Sequence, residues 1–472
     1  MEERGCHFYG SYEGTMKETP SSENISPKLM RIAELARQAP DMAFTTLAHV
    51  IDVEFLREAH RRTRRDGAVG IDGQSAEQYE ENLRANLDDL LRRAKDGSYR
   101  APPVRRVHIP KGDGSKTRPI GIPTFEDKIL QRAVTMVLET VYEQDFLDFS
   151  WGFRPGRSTH LAVQATRTEL MKMPKGGWIL EVDIQGFFDA LDHGQLRQIL
   201  RQRIKDGVIL RLIGKWLNAG VLEDGAVKRS TKGTPQGGVV SPILANIYLH
   251  EVFDTWFVQS VEPRLHQRCF ATRYADDIIM GFESEDDARR VLKVLQKRFE
   301  KYGLILHPEK TRLIRFPRPP WGSKKSPRKG TERTSFDMLG FTLYWGKTRK
   351  GSWIIKQKTM SKRLRRAVKG IWQWCRTHRH LPVSDQRKIL SRKVLGHYAY
   401  YGVTGNFRAL ETFFHQVKRA WRYWLNRRSN SNRVTWEKFN LILQHHPLPT
   451  PRIVHRGNIL EAKLHKMRSR MH

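Results

Sequence analysis

The sequence predicts an α+β body followed by a helical, strongly basic C-terminal third, and three observations carry that expectation. Short β-rich apolar runs, GWILEVDI at 177–184 and RCFATRYADDIIMGF at 268–282, punctuate stretches with helical spacing. Charge is divided unevenly: of 84 Lys+Arg and 50 Asp+Glu, residues 341–472 hold 30 and 4, and residues 1–340 hold 54 and 46. The net charge of +34 points to a polyanionic partner, with nucleic acid ahead of an anionic membrane.

With 472 residues, 39% of them hydrophobic, the chain can build a sizeable core in two to four domains. Cys6, Cys269 and Cys375 are far apart in the chain. They suggest neither a disulfide framework nor a zinc site, and a reducing interior is the simplest setting. The acidic, polar N-terminal stretch fits no signal or transit peptide, and no apolar run approaches a membrane span.

Taken in order, residues 1–43 read as a polar, loosely ordered lead-in with Pro20, Pro27 and Pro40. Helical spacing then runs through Phe44, Leu47, Ile51, Phe55 and Leu56, with turns at Asp66-Gly67 and Asp72-Gly73. Residues 105–124 have hairpin grammar with a cationic, Gly-rich tip. Ile129, Ala133, Val134, Val137, Leu138 and Val141 predict an amphipathic helix over 125–142.

The run 177–184 reads as a buried strand ending at Asp183, and 268–282 as an antiparallel hairpin bent at Ala275-Asp276. Ser284 caps a following helix that Gly303 stops. Residues 317–335, rich in Pro, Gly and Lys, predict an exposed connection and a boundary. Beyond it, Leu364, Val368, Ile371, Trp372 and Cys375 trace one helical stripe, and Trp421, Trp424 and Leu425 another. Of the seven tryptophans from Trp345 onward, about five are expected in the core by their helical spacing with aliphatics; the others, interleaved with arginine, suit base stacking.

Asp276 and Asp277 at a bend and Asp183 at a strand end can together hold two divalent cations about 4 Å apart. Oxygen ligands of this kind suit magnesium, with one ion activating a 3′-hydroxyl and the other steadying a leaving pyrophosphate. A bare Asp-Asp pair is also a common turn. The flanking apolar runs, Tyr274 and the upstream Asp183 favour the site.

These elements resemble a reverse transcriptase palm, and specifically the group II intron-encoded reverse transcriptase/maturase proteins of the endonuclease-lacking type. The resemblance rests on DGAVGIDG at 66–73, KTRPIGIPT at 116–124, GFRPGRS at 152–158, DIQGFFD at 183–189, GTPQGGVVSPILANIYL at 233–249, YADD at 274–277, HPEKT at 307–311 and LGF at 339–341. GHYAYYGVTGN at 396–406 resembles the maturase domain. The family implies a right-hand polymerase, with fingers and palm over 44–345, a helical thumb and maturase domain over 346–435, and a basic tail over 436–472. No Cys/His endonuclease pattern follows residue 436, so no strand nicking is expected.

The resemblance also implies roles. Asp183 and Asp276 would ligate metal with the Ile184 carbonyl, and Asp277 would support them. Phe187 would exclude a ribose 2′-hydroxyl, its competing reading being a core residue beside Phe188. Lys111, Arg118, Gln236 and Lys310 would meet the incoming nucleotide, although Lys111 also fits a solvated turn and Lys310 a surface lysine. Arg154, Tyr274, Leu339, Gly340 and Phe341 would meet primer or template, and a plain hairpin turn fits the last three nearly as well.

The expected partners are an intron RNA, an RNA template, a DNA primer and target DNA, and deoxynucleoside triphosphates. A bacterial cytoplasmic setting, nucleoid-associated when DNA is bound, is expected. Two rival readings stay open: a domesticated reverse transcriptase in DNA repair or defence, and a non-catalytic RNA-binding splicing factor.

Overall fold

The computed structural model describes residues 26–111, 116–223, 226–228, 232–234, 237–320, 335–428 and 433–468. They form two compact units, which divide at 318/319.

The first unit opens with helices α1 (Ser26–Gln38), α2 (Val53–Arg62), α3 (Ala76–Glu80) and α4 (Leu83–Asp96). Helical spacing around Phe44 does not produce one continuous helix: Phe44 bridges to Ile204, and Asp52 caps α2 by accepting from Phe55 N. Strands β1 (Val104–Lys111) and β2 (Lys116–Ile122) pair antiparallel, as the hairpin pattern required. Helix α5 (Phe125–Tyr142) follows, capped by Thr124. It is buried nearly all round rather than on one stripe, because α1 and α2 pack against it.

Helix α6 (Thr159–Met171) leads into β3 (Gly176–Val182), a short α7 (Phe187–Ala190), α8 (His193–Arg203) and α9 (Gly207–Asn218). Short strands β4 (Val221–Glu223) and β5 (Ala226–Lys228) join the first hairpin in a sheet of order β2-β1-β4-β5. Helix α10 (Ser241–Leu249) continues into wide, π-type turns over His250–Thr255 and Phe257–Val261.

The sheet that carries the chemistry follows. β6 (Cys269–Tyr274) and β7 (Asp277–Phe282) form a hairpin, and β7 pairs with β3 in the antiparallel order β6-β7-β3-β8, where β8 is Arg312–Pro317. Helix α11 (Glu285–Lys301) packs on β3 and β7, capped by Ser284 as expected. One continuous core, from Ile32 to Leu304, joins α1 to α5 with β3, α7 to α10, β6, β7 and α11.

The second unit begins with a three-stranded antiparallel sheet of β9 (Ser335–Met338), β10 (Phe341–Lys347) and β11 (Trp353–Thr359). The expected boundary at 345 therefore cuts through β10. The division falls earlier because Phe341 stacks on Tyr400 with centroids 5.7 Å apart, inside the same unit. Helices α12 (Ser361–Thr377), α13 (Val383–Tyr401) and α14 (Phe407–Leu425) share a core of Ile371, Leu390, Leu410, Val417 and Trp421.

Residues 436–468 are not a tail. In α15 (Trp436–His445), Phe439 is fully buried against Trp421 and belongs to that core with Leu448, and α16 (Gly457–Arg468) follows. Of the seven tryptophans, Trp345, Trp353 and Trp421 are buried, Trp372, Trp374 and Trp424 are half-buried, and Trp436 is exposed. Among the described residues, no helix is long and apolar enough to cross a membrane.

Candidate active site

Asp276 sits in the two-residue bend between β6 and β7, after Ala275, whose φ is +56°. The register explains where the third carboxylate arrives. Val182 pairs with Ile278, so Asp183 follows one residue beyond, alongside the start of β7. Two carboxylates on adjacent central strands are thus brought to one end of the sheet.

Electrostatics report their proximity. Burial holds the Asp276 carboxyl above the ordinary carboxylate range; its own backbone N–H opposes this, the Asp183 charge adds to it, and Arg118 and Lys310 oppose it. Asp277 is exposed, and its charge, after burial, pushes the Tyr274 hydroxyl up. Among the described residues no three His, Cys, Asp or Glu side chains converge as a ready-made cage. The close set is therefore the Asp183–Asp276 pair, with Asp277 at its rim.

The segment after α11 is laced to the same strand end. His307 N donates to Asp183 O at 2.8 Å, Gln185 N to Ile305 O at 2.8 Å, and Ile184 bridges to Leu306. Lys310 Nζ donates to Asp183 Oδ2 at 2.9 Å, although 59% of the lysine side chain is exposed. An ammonium group there rests against a carboxylate that has a second carboxylate close by. This is what the chemistry of an all-oxygen cation site predicts, and the donor set fits a hard divalent ion.

Phe187 is 2% exposed and rests edge-on against Phe188 at 5.3 Å. Arg118 is exposed on β2, and its charge reaches Asp276. Lys111 ends β1, but its side chain lies outside the described residues, and so does Gln236 altogether. The loop just after it is held closely: a Cβ at Gly237 would come within 2.4 Å of Gly121 O on β2. Val239 N and Val240 N donate to Gln131 Oε1 at 2.7 and 3.2 Å. Gln131 in turn donates to Asp127 at 2.9 Å, which also accepts from Trp216 Nε1 at 2.7 Å and from the Tyr99 hydroxyl. Leu339, Gly340 and Phe341 form the β9–β10 turn of the second unit, where Tyr400 donates to Leu339 O at 2.8 Å.

Arg154 departs from expectation. Its side chain is 1% exposed and is consumed internally: it pairs with Glu143 at 3.0 Å and donates to the carbonyls of Leu147 and Ser150 at 2.8 Å. It stabilises the 143–157 segment and offers nothing to a nucleic acid. The residue before it, Phe153, is instead 50% exposed.

Sequence reasoning also passed over the support beneath the bend. Arg273 is wholly buried and donates through Nε to Asp254 Oδ1 at 2.7 Å, through Nη2 to Asp254 Oδ2 and Ser150 Oγ, and through Nη1 to Asn246 Oδ1 at 2.9 Å and Ala275 O at 3.3 Å. Asn246 Nδ2 donates to Gly152 O at 2.7 Å. Gly152 lies under the bend so closely that a Cβ would approach Ala275 N to 2.3 Å. Burial would raise the Asp254 carboxyl, but the Arg273 guanidinium outweighs it and leaves the group below the ordinary range.

Residues 109–343 match the family described as "Reverse transcriptase (RNA-dependent DNA polymerase)". The chain is 35% identical over 286 residues to the group II intron-encoded protein LtrA of Lactococcus lactis subsp. cremoris, covering 57% of this chain and 46% of that one. It is 35% identical over 259 residues to protein YkfC of Escherichia coli (strain K12), covering 54% and 65%. It is 36% identical over 217 residues to an uncharacterized 91 kDa protein in the cob intron of Schizosaccharomyces pombe, covering 44% and 26%. The aligned part thus spans about half to two thirds of the first two relatives.

Proposed function

Residues 109–343 are a reverse transcriptase domain of the kind carried by group II intron-encoded proteins, and from that premise we propose that the chain is an RNA-directed DNA polymerase that also binds its intron RNA. The observation that carries the chemical part is the Asp183–Asp276 pair at one sheet end, with Arg118 and Lys310 as the positive groups around it.

In this reading Asp183 and Asp276 bind magnesium as carboxylates, the Ile184 carbonyl assists and Asp277 supports from the rim. Magnesium bound there supplies activation of the 3′-hydroxyl and charge relief for the departing pyrophosphate. The protein's own groups do the remainder. Arg118 meets triphosphate oxygens through charge-assisted bonds, and Lys310 gives up Asp183 to do the same. Buried Phe187 leaves no room for a 2′-hydroxyl, favouring deoxynucleotides. Gln236 orients the base or template strand. Leu339, Gly340 and Phe341 grip the primer.

The second unit's charge supports the RNA-binding part: 30 Lys+Arg against 4 Asp+Glu over 341–472 is a surface suited to phosphate tracking. Splicing and retrohoming would follow from holding the intron RNA and later copying it. The experiment is primer extension on an RNA template with magnesium and deoxynucleotides, beside splicing of the flanking RNA. Asp276→Ala is expected to lower extension on the order of 10³-fold while splicing survives. A folded wild-type protein that never extends a primer would sink the polymerase reading and promote the scaffold one.

A further inference from the structure

We propose that Phe153 is a primer-terminus contact, an aromatic ledge beside the catalytic bend that seats the last base pair of the primer–template duplex. The inference rests on the polymerase reading above and adds a residue that the motifs leave without a role.

Phe153 is out of place by every structural rule. A bulky residue at φ +58° is a conformational outlier, since the left-handed region suits Gly or Asn. The ring gains no burial in return, being 50% exposed. Such strain persists only where the surroundings impose it, and here they do. On one side Gly152 is pressed under the Tyr274–Ala275 backbone, and its carbonyl is held by Asn246. On the other, Arg154 is anchored to Glu143 and two carbonyls, and Arg157 donates to Asp148 O at 2.6 Å with its guanidinium over Trp151. Trp151 N donates to Arg273 O at 2.7 Å, stitching the segment to β6 itself. Phe153 is the one side chain of the 151–154 stretch that this clamping turns outward, and its ring lies 6.4 Å from that of Tyr274, the residue preceding the bend.

The exposed Phe153 ring, fixed against half-buried Tyr274 beside Asp276, faces whatever enters there. For a polymerase the apolar object at that place is the terminal base pair, because the incoming triphosphate is met by the cationic groups on β2 and after α11. A rigid ring loses little entropy on contact and places the 3′-hydroxyl by contact with the base or sugar face.

The test compares wild type, Phe153→Asn and Phe153→Trp in steady-state extension of a DNA primer annealed to an RNA template. Asn suits the left-handed backbone, so its melting temperature is expected to equal or exceed that of wild type. Its KM for primer–template is expected to rise about five- to one-hundred-fold, with KM for the deoxynucleotide within about two-fold. Phe153→Trp should restore the primer–template KM. If wild type extends primers and Phe153→Asn matches it, or shifts only the nucleotide KM, this inference is overturned and the polymerase reading stands. If wild type does not extend, both fall.

Discussion

Asp254→Asn is the sharpest test of how the catalytic bend is held. Asp254 and Arg273 are both 0% exposed, so the substitution leaves a guanidinium in the interior with half its charge-assisted bonds and no counter-charge. Removing one partner of such a pair costs about 3–5 kcal/mol, a large part of the roughly 5–15 kcal/mol by which a domain is stable. The loss is directed, because the same guanidinium reaches Ala275 O in the bend, and Asn246 and Ser150 beneath it. A deficit near 4 kcal/mol should speed amide exchange in peptides covering 268–282 by about 10³-fold if the bend opens locally. Replacing both charges, Asp254→Leu with Arg273→Met, removes the uncompensated charge but should recover only part of the stability, since Asn246 and Ser150 lose their partner at about 1–3 kcal/mol each. Because the Asp254 group is held below its ordinary value, the pair's contribution is complete above pH ~4 and is lost as pH falls through the lowered value. Hydrogen-exchange mass spectrometry with urea titration of the full chain measures both. A single mutant within about 1 kcal/mol of wild type, with unchanged protection at 268–282, would refute the reasoning.

Other outcomes follow from the same geometry. Lys310→Met removes one of the two positive groups opposing protonation of Asp276, so magnesium-induced stabilisation should need a higher pH than in wild type; identical pH profiles of the thermal shift count against it. The sign follows from a raised value: without cation, charging Asp276 lowers stability as pH climbs from the ordinary carboxylate value through the raised one, and bound magnesium reverses this. Asp127, pushed up to about 6 by burial against the donors Tyr99, Trp216 and Gln131, should make wild type lose up to about 3 kcal/mol between pH 4 and 6. Asp127→Asn should flatten that slope, and an unchanged slope in urea titrations excludes Asp127 as its source. Phe439→Ala should cost the second unit about 3–5 kcal/mol and loosen exchange over 361–425 while leaving 177–282 protected; uniform loosening, or none, is the contrary result.

The elements most legible in the sequence were those where local chemistry leaves few choices. β3, the β6–β7 hairpin and the Ser284 cap follow from apolar runs and capping residues that need no distant partner. The carboxylates were visible for the same reason, since a polar pair inside an apolar run has few structural uses. What sequence hid was burial set by tertiary context. Arg154 looks like any arginine in a basic motif, and only Glu143 and two carbonyls, brought by folding, make it an interior brace. Arg273 did carry a signal, a lone cation within the apolar stretch preceding the bend, but its partner Asp254 lies in an irregular π-type turn that no periodicity announces. Phe439 was assigned to a tail because net charge dominates that region, whereas one buried ring decides its packing.

That ring also has a bearing on synthesis. The described core of the first unit is complete once β8 has supplied Ile314 and Phe316, whereas Ile371, Leu390 and Trp421 wait for Phe439 and Leu448. Phe439 follows Ile371 by 68 residues; at ribosomal speeds of about 5–20 residues per second, that leaves roughly 3–14 s in which basic helices carry uncovered apolar stripes beside the RNA being translated. A transcript that encodes this chain and is also the RNA it binds would meet the protein first in that half-finished form.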